Sequence, residues 1–485
     1  MNVSREHDHR PHDHRTARLG ERSDGQEVPA EPGFQLDLNE DGNARRVAAQ
    51  HGDNIRYCHA FKKWLVWDGR RWKTDDSGQV RQLARETMAA FLAEAAQTYN
   101  DTRRDFANDS CKSSAITGML KMLEGEFAIS TADLDLDPHL LNFTNGTVDL
   151  RTGTVTAHRR EDYITKLVHY AYDPEAECPI FLSFLQRITS HAGLIEYLQR
   201  ALGYSLTGRT IEKAVFVLYG DGDNGKSTLL STILQLLDEY AVLLQIDTLM
   251  ARQESSNAQA DLADLRGARF AMTSETEEGQ RLAEGKLKRI TQGMGRIKAT
   301  RKYENPVEFP ETHKLWIDAN HLPKVSGKDK AIWNRLHAIP FDVTIPKAEQ
   351  DKTLQNKLLD EAEGILAWTV RGAVRWHQEG LGKPPDVEQA VAQWRADSDD
   401  IARFLDDCCQ PEGQVSAKEF YDQYLLWAKD AGVPPCSNPV FSQRVLLRDG
   451  VSKKSEAQGN VYYGVRLNRP GRVGCGRFRI REKPQ

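Results

Sequence analysis

The chain has 485 residues, of which 28% are charged and 39% hydrophobic, and its formal net charge is −5. The length is enough for about three domains, and the near-neutral charge means that nucleic acid must be bound by local basic patches. There is no apolar run of the ~18 residues that a membrane span requires, and the seven scattered cysteines include no C-x-x-C pair. We therefore predict a cytoplasmic protein with no membrane contact, no disulfide framework and no zinc site.

The N-terminal part is predicted to be a tail followed by a mixed domain. Residues 1–45 are rich in charged residues and histidine and nearly free of apolar ones, which is typical of a disordered tail. Residues 46–180 combine a strand–turn–strand around a D-G turn, a helix over 82–99 and a hairpin over 140–155.

The most specific signal lies where an apolar strand, 215–219, leads into a glycine-rich loop and then a helix. The segment G-D-G-D-N-G-K-S fits the phosphate-loop pattern G-x-x-x-x-G-K-[ST] at every fixed position. In such a loop, backbone N–H groups and the helix N-terminus bind a polyphosphate, while Lys226 contacts the β- and γ-phosphates and Ser227 holds Mg²⁺. The alternative, an ordinary glycine turn, does not require the flanking strand and helix. The predicted nucleoside triphosphate site consists of Gly220, Asp223, Asn224, Gly225, Lys226, Ser227 and Thr228.

An acidic segment, S-E-T-E-E-G, lies at the end of a short predicted strand that begins near residue 268, and Glu275 is the first carboxylate after that strand. Triphosphate hydrolysis needs a carboxylate near Mg²⁺ and the attacking water, and a parallel-sheet ATPase places such groups at the carboxyl end of a strand. Glu275 is the first candidate for the catalytic base and for binding Mg²⁺, and Glu277 is the second. The alternative is an acidic loop without a catalytic role.

Two further polar residues follow at spacings that suit a triphosphatase. Asn320 ends the apolar strand over 314–319, where its amide would donate to the γ-phosphate or orient water. For Asp318, in the same strand, the sequence indicates no clear role beyond facing a neighbouring loop. Arg335, in W-N-R-L, would act on the ATP of the next subunit as an arginine finger, with a surface salt bridge as the alternative.

A basic hairpin is predicted between the acidic segment and the strand that ends at Asn320. Its strands would be 296–303 and a return strand from residue 307. Basic side chains there would follow a phosphate backbone, and an aromatic side chain would stack on a base; a solvated hairpin without a ligand is the alternative. The residues expected to bind DNA are Lys298, Arg301, Lys302 and Tyr303.

The remaining chain is predicted to be helical and then to form a small domain. Residues 346–394 form a helical extension that ends in a Gly- and Pro-rich linker, 380–385. Residues 395–468 have the helix and strand signals of a winged-helix domain, and 469–485 form a basic tail. A winged helix binds either DNA or protein, and the sequence leaves both possibilities open.

The order of these motifs resembles superfamily 3 helicases, and most closely the helicase part of phage and plasmid primase–helicases, which are related to poxvirus-type enzymes. The resemblance rests on the phosphate loop, S-E-T-E-E-G, the basic hairpin, K-L-W-I-D-A-N-H-L-P and W-N-R-L. It implies an α/β fold with an AAA+-like parallel-sheet ATPase core over 181–345. An α+β pre-helicase domain would precede this core, and the winged-helix domain would follow it.

The resemblance implies an ATP-dependent replicative DNA helicase of phage, prophage or plasmid type that uses ATP and Mg²⁺ and translocates on single-stranded or forked DNA. Glu275 takes the acidic-motif position, Asn320 the sensor position and Arg335 the finger position. Because the finger acts across subunits, a homo-oligomeric ring is required, and a hexamer is expected. Many ATPases have Asp-Glu where this chain has Ser274-Glu275, so the choice between Glu275 and Glu277 stays open.

Two expectations concern partners and the alternative function. Longer family members carry a primase domain, and a tail of about 45 residues is too short to bury a polymerase core. We therefore expect no priming activity, and a separate primase or polymerase as a partner in a bacterial host. The alternative function is an ATP-switched, DNA-binding replication initiator or loader, in which ATP controls assembly and turnover is negligible.

Overall fold

The computed structural model describes residues 37–189, 191–251, 256–273, 281–300, 306–325, 329–457 and 459–468. Within them the chain forms an N-terminal α+β unit, a parallel-sheet core, a set of helices packed on that core and a C-terminal unit of helices and strands. In this part of the chain, no helix is long and apolar enough to cross a membrane.

The N-terminal unit has two antiparallel three-stranded sheets: β1-β2-β3, on which its helices pack, and β4-β5-β6, whose buried residues Leu141, Phe143 and Val148 join the core of the parallel-sheet part. The predicted tail boundary at residue 45 is wrong, because the first helix begins at Glu40 and Asn43 is buried, where its amide donates to Ser110 Oγ. The elements are α1 Glu40–His51, β1 Ile55–Cys58, β2 Lys63–Trp67, β3 Trp72–Thr74, α2 Gln79–Ala96, α3 Asp101–Ser110, α4 Ser113–Glu126, β4 Leu140–Phe143, β5 Gly146–Asp149 and β6 Thr154–Thr156.

The core is a five-stranded sheet with the order β13-β7-β12-β9-β8, and every pairing in it is parallel. The carboxyl ends of all these strands therefore meet at one edge, as the predicted α/β ATPase core requires. The elements are α5 Pro179–Ile188, α6 Ala192–Leu206, β7 Val215–Tyr219, α7 Lys226–Leu237, β8 Ala241–Leu244, α8 Ser256–Asp264, β9 Phe270–Thr273, α9 Glu284–Ile290, β10 Arg296–Ala299, β11 Val307–Pro310, β12 Lys314–Ala319, α10 Lys330–Trp333 and β13 Leu336–Pro340.

Both faces of the sheet are buried, which explains why its central strands are apolar runs rather than alternating ones. Phe216 and Trp316 stack on one face, with ring centroids 4.3 Å apart, in the cluster that includes α6 and α7. Val217 and Ile317 lie on the other face, in a second cluster that includes α9 and the β10–β11 hairpin. Successive residues along β7, and along β12, thus pack into the two clusters on opposite faces of the sheet, because side chains alternate between the faces of a strand.

The helices after the sheet are α11 Leu354–Asp360, α12 Ala362–Glu379 and α13 Pro385–Asp397. Helix α12 lies against α6, and α13 returns to the core, where Trp394 Nε1 donates to the carbonyl of Pro323 at 2.8 Å. The segment 380–385 is therefore a short connection between two packed helices, not the linker that we expected. The local Gly and Pro signals were the same for both arrangements, and only packing distinguishes them.

The C-terminal unit contains α14 Asp400–Cys408, β14 Cys409–Ser416, α15 Ala417–Asp430, α16 Asn438–Val445, β15 Ser452–Glu456 and β16 Gly459–Leu467. Its antiparallel sheet has the order β14-β16-β15, and Phe420, Tyr424 and Trp427 share the buried face of α15. Helix α14 and strand β14 were not anticipated. The order helix–strand–helix–helix–strand–strand agrees with a winged-helix domain, and that assignment stays a prediction.

A buried polar cluster holds the base of the β10–β11 hairpin at the amino edge of the sheet. Glu311 follows β11 directly, and its carboxylate accepts the backbone N–H groups of Gln292 and Gly293. Only 4% of Glu311 is exposed, and this burial raises its pKa to about 7, against the lowering effect of the N–H donors.

The first prediction concerns the crossing of α6 and α12. A Cβ on Gly203 would lie 2.1 Å from the backbone nitrogen of Ala373, whereas a Cβ on Gly193, in the same helix, would meet no atom within 4 Å. We expect Gly203→Ala to lower the free energy of unfolding by ~2 kcal/mol or more, because backbone atoms must move apart. Gly193→Ala should be neutral or slightly stabilising. Urea denaturation of both variants tests this, and equal stabilities would contradict the close crossing.

The second prediction is a pH dependence of stability that Glu311 causes. Its pKa is about 7 in the folded chain against an ordinary value of 4.5, so the folded state binds the proton more tightly and stability falls as pH rises from ~4.5 to ~7. Glu311→Gln should remove this loss, and its stability relative to wild type should therefore increase with pH. Urea denaturation between pH 5 and 8 measures it. Glu308→Gln, in the same hairpin, is the control, and a pH-independent difference for Glu311→Gln would refute the assignment.

Candidate phosphate-binding site

The candidate site lies at the carboxyl edge of the parallel sheet, where β7 enters the glycine-rich loop. The last residue of β7, Tyr219, is paired with Ala319 of β12 on one side and with Pro340 of β13 on the other. The loop over 220–225 then leads into α7, which begins at Lys226. The predicted strand, loop and helix therefore form as expected, and the loop meets the ends of two further strands.

Glycine is required at both ends of the loop. Gly220 has φ +144°, and a Cβ there would lie 2.3 Å from the carbonyl oxygen of Phe341. Gly225 has φ +86°, and a Cβ there would lie 2.7 Å from Ile188 Cγ2. Any other residue would combine an unfavourable backbone conformation with a clash. The loop is thus a shaped cradle, and its form depends on the strand β13 and the helix α5 that flank it.

Two of the predicted loop residues shape the loop. Asn224 is buried, and its Nδ2 donates to the carbonyl of Phe341 at 3.1 Å. Asp223 has φ +61°, and its carbonyl accepts the N–H of Ile345 at 2.8 Å. Asn224 therefore fastens the loop to the segment after β13 through its side chain, and Asp223 does so through its backbone.

The ammonium group of Lys226 lies inside the curve of the loop. It donates to the carbonyl of Gly220 at 2.7 Å and to Asn224 Oδ1 at 2.9 Å. The first N–H groups of α7 and the positive end of its dipole lie next to it. These donors fit the β- and γ-phosphates of a nucleoside triphosphate, as the loop pattern predicts.

Ser227 makes a contact that the sequence analysis missed. Its exposed hydroxyl donates to Asp318 Oδ2 at 2.5 Å, and Asp318, on β12, is only 3% exposed. An exposed hydroxyl backed by a buried carboxylate is an oxygen donor set that fits Mg²⁺, which keeps several waters and uses few protein ligands. The signal that points to it is a charged residue at the end of an otherwise apolar strand, and strand order was needed to interpret that signal.

Asn320 comes directly after β12 and lies at the same edge as the loop. It lines a cleft of about 750 Å³ together with Gly220 and Asp221, and the cleft extends to Trp394 and Asp400 near the C-terminal unit. The position agrees with the predicted sensor role, which stays a prediction. Strand β9 also ends at this edge, at Thr273, but Glu275 and Glu277 lie outside the described residues.

Arg335 lies at the opposite edge of the sheet from the loop in its own chain. It precedes β13, whose first residue, Leu336, pairs with Val215 at the start of β7. The length of β7, ~13 Å at 3.3 Å per residue, therefore separates Arg335 from the loop. Its guanidinium donates to the carbonyls of Ala331 and Thr291, at 2.6 and 3.2 Å.

The basic hairpin leads into the amino end of β12, and its apolar residues Ile297, Ala299 and Phe309 pack in the second cluster, on one face of the sheet. Its described strands pair Arg296 with Pro310 and Ala299 with Val307, so the return strand begins at residue 307, as predicted. Lys298 is exposed, whereas Arg296 forms an ion pair with Glu308 at 2.8 Å. The other predicted DNA-binding residues, Arg301, Lys302 and Tyr303, lie outside the described residues.

A partly apolar cavity of about 640 Å³ adjoins the loop on the side away from Asn320. Helix α5 contributes Ile180 and Phe184, the loop and α7 contribute Gly225 and Thr228, and the segment before α11 contributes Ile345. The sequence analysis did not find this cavity, because its walls come from segments that are far apart in the chain.

Comparison with known proteins places two segments of the chain in families. Residues 44–190 match the family described as D5 N terminal like, and residues 218–335 match a family of unknown function, DUF5906. Among solved structures, the apo form of the NrS-1 C terminal region aligns with a TM-score of 0.48 at 10% identity, over 85% of this chain and 96% of that one.

Two viral relatives are similar over most of the chain. The chain is 25% identical over 436 residues to "Putative helicase L207/L206" of Acanthamoeba polyphaga mimivirus, which covers 79% of this chain and 45% of that protein. It is 24% identical over 355 residues to "Putative helicase 184R" of Invertebrate iridescent virus 6, with 64% and 36% covered. The chain thus spans less than half the length of these relatives. A segment that matches the D5 N terminal like family thus precedes the α/β core with the phosphate-loop pattern, and the chain is similar to viral proteins named as putative helicases.

Proposed function

We propose that this chain is an ATP-hydrolysing DNA helicase motor. The observation that carries the proposal is the meeting of Lys226, Ser227 and Asn320 at the carboxyl edge of one parallel sheet. The names of the viral relatives suggest a helicase, and the order of the sequence motifs suggests a helicase independently. A phage or plasmid origin and replicative use are expectations from that motif order alone.

In this proposal each residue at the edge has a separate task. Lys226 exchanges its carbonyl partners for the β- and γ-phosphates, and the N–H groups of the loop bind the remaining oxygens. Ser227 would hold Mg²⁺, which would supply positive charge to the same phosphates. Asn320 donates to the γ-phosphate or orients the attacking water. Glu275, with Glu277 as the second candidate, accepts the proton of that water.

The nucleobase occupies the cavity beside the loop. The cavity adjoins Gly225 and Thr228, so a nucleotide whose phosphates lie in the loop brings its base to the side chains of α5. Ile180 and Phe184 offer apolar contact to either face of a purine, as is usual for nucleotide pockets.

Arg335 acts on the neighbouring subunit. The amino edge on which it lies is too far from its own loop for a direct contact with a bound phosphate, because ~13 Å of β7 lies between them. An arginine that completes the site of the next subunit requires a head-to-tail assembly, and such an assembly closes when it forms a ring; we expect a ring of six subunits. The hairpin leads into the amino end of β12, and Lys298, Arg301, Lys302 and Tyr303 would bind single-stranded DNA.

The third prediction concerns ATP turnover in the presence of single-stranded DNA. Lys226→Ala and Arg335→Ala should each lower the DNA-stimulated turnover about 100-fold or more, because each removes charge stabilisation of the transition state. A 1:1 mixture of the two variants should recover activity at about a quarter of the interfaces, since random ring assembly pairs an intact Lys226 with an intact Arg335 at that frequency. A coupled ATPase assay measures all of this, with size-exclusion chromatography for the ring.

Arg395→Ala, an exposed arginine on α13, is the control and should retain wild-type turnover. Loss of activity in Arg335→Ala without recovery on mixing would contradict action across subunits. Negligible turnover by the wild-type protein, together with tight DNA binding, would replace the motor by the ATP-switched initiator or loader.

The fourth prediction separates base binding from phosphate binding. Ile180 and Leu182 lie on α5 with similar exposure, 39% and 36%, but only Ile180 lines the cavity. Ile180→Ala should raise the Kd for ATP about three- to tenfold, which corresponds to the loss of ~1 kcal/mol of apolar contact. The affinity of Ile180→Ala for inorganic triphosphate should not change. Leu182→Ala should change neither the affinity for ATP nor the affinity for inorganic triphosphate. Competition against a fluorescent nucleotide measures both affinities, and equal effects of the two variants would exclude this cavity as the base site.

A further inference from the structure

The contact between Ser227 and Asp318 joins the first turn of α7 to the carboxyl end of β12. The oxygen–oxygen distance is 2.5 Å, which is typical of a strong hydrogen bond to a charged acceptor. The two residues differ sharply in accessibility, because Ser227 is exposed and Asp318 is buried. From the solvent side, the carboxylate therefore lies behind the hydroxyl.

This geometry determines how the serine presents its oxygen. When the hydroxyl proton points at Asp318, the lone pairs of Oγ point away from the protein interior. A hydroxyl binds a cation through such a lone pair, and a charge-assisted hydrogen bond to the proton increases the electron density on the oxygen. Asp318 is thus suited to orient the serine hydroxyl that binds the cation, and not to bind the cation itself.

The sequence of the acidic segment indicates why a carboxylate beside Ser227 matters. Ser274 precedes Glu275, at a position where many ATPases have an aspartate. Moreover, β9, which leads to that segment, is not adjacent to the loop strand β7, because β12 lies between them. A carboxylate on β12 is therefore one strand nearer to Ser227 than one that follows β9.

We propose that Asp318, on β12, is a positioning residue for Mg²⁺. In many ATPases an aspartate of the acidic segment helps to place this ion, and Ser274 stands at that position here. The inference rests on the proposed function, since it assigns a metal role at the same triphosphate site. Asp318 holds the proton of Ser227, and Ser227 holds the cation. Glu275 and Glu277 are then left for the attacking water alone.

The fifth prediction tests this role by nucleotide binding, without turnover. A fluorescent ADP analogue is titrated into the full chain in EDTA and at increasing Mg²⁺. Asp318→Asn keeps the size of the side chain but removes the charge, and it should raise the half-saturating Mg²⁺ concentration about 10- to 100-fold, as is usual when a residue behind a metal ligand is changed. Affinity in EDTA should stay within about twofold of wild type.

Two further variants make the test specific. Asp342→Asn removes an exposed carboxylate that lines the cleft with Asn320 at the same edge of the sheet, and it should leave the Mg²⁺ dependence unchanged. Ser227→Ala should shift the half-saturating Mg²⁺ concentration by at least as much as Asp318→Asn, and the double variant should be no worse than Ser227→Ala alone, because both residues act through one hydroxyl.

Three results would overturn the proposal. They are an unchanged Mg²⁺ dependence in Asp318→Asn, an equal loss of affinity with and without Mg²⁺, and a shift in Asp342→Asn as large as that in Asp318→Asn. If Asp318→Asn and the smaller Asp318→Ser both fail to fold by circular dichroism, Asp318 belongs to the fold and the proposal also fails. Absence of nucleotide binding by the wild-type chain would instead refute the proposed function itself.

Discussion

The parallel pairing of β7 with β12 and β13 is the constraint on which the other features depend. Tyr219 of β7 lies opposite Ala319 of β12 and Pro340 of β13, so three strands that are far apart in sequence end at one level. Because the strands are parallel, polar residues just after each strand meet at the carboxyl edge, where the glycine loop also lies. The same pairing carries Arg335 to the other edge, away from the loop of its own chain.

The loop depends on its neighbours as much as on its own residues. Its shape is maintained by the hydrogen bond from Asn224 to Phe341, and its glycines are required by Phe341 and by Ile188. The segment that follows β13 therefore supports the loop and, a few residues later, lines the adjoining cavity at Ile345. The proposed phosphate site and the proposed base site therefore share one structural support.

Strand β12 spans the two edges at which the proposed activities take place. Its amino end begins near Glu311, which holds the base of the β10–β11 hairpin, and its carboxyl end carries Asp318 and leads to Asn320. Every residue of β12 is buried, and a buried strand transmits displacement because its neighbours are close-packed. The strand is thus a direct physical connection between the proposed DNA-binding hairpin and the triphosphate site.

Local sequence alone determined the strand, loop and helix around Lys226 and the apolar strand before Asn320, because glycine conformations and apolar periodicity act over a few residues. Tertiary structure decided which strands are neighbours, and hence that Asp318 contacts Ser227. It also decided that α1 begins at Glu40 and that 380–385 connects two packed helices. Pairing and packing between distant segments depend on the shape of the whole core, and no short stretch of sequence contains that information.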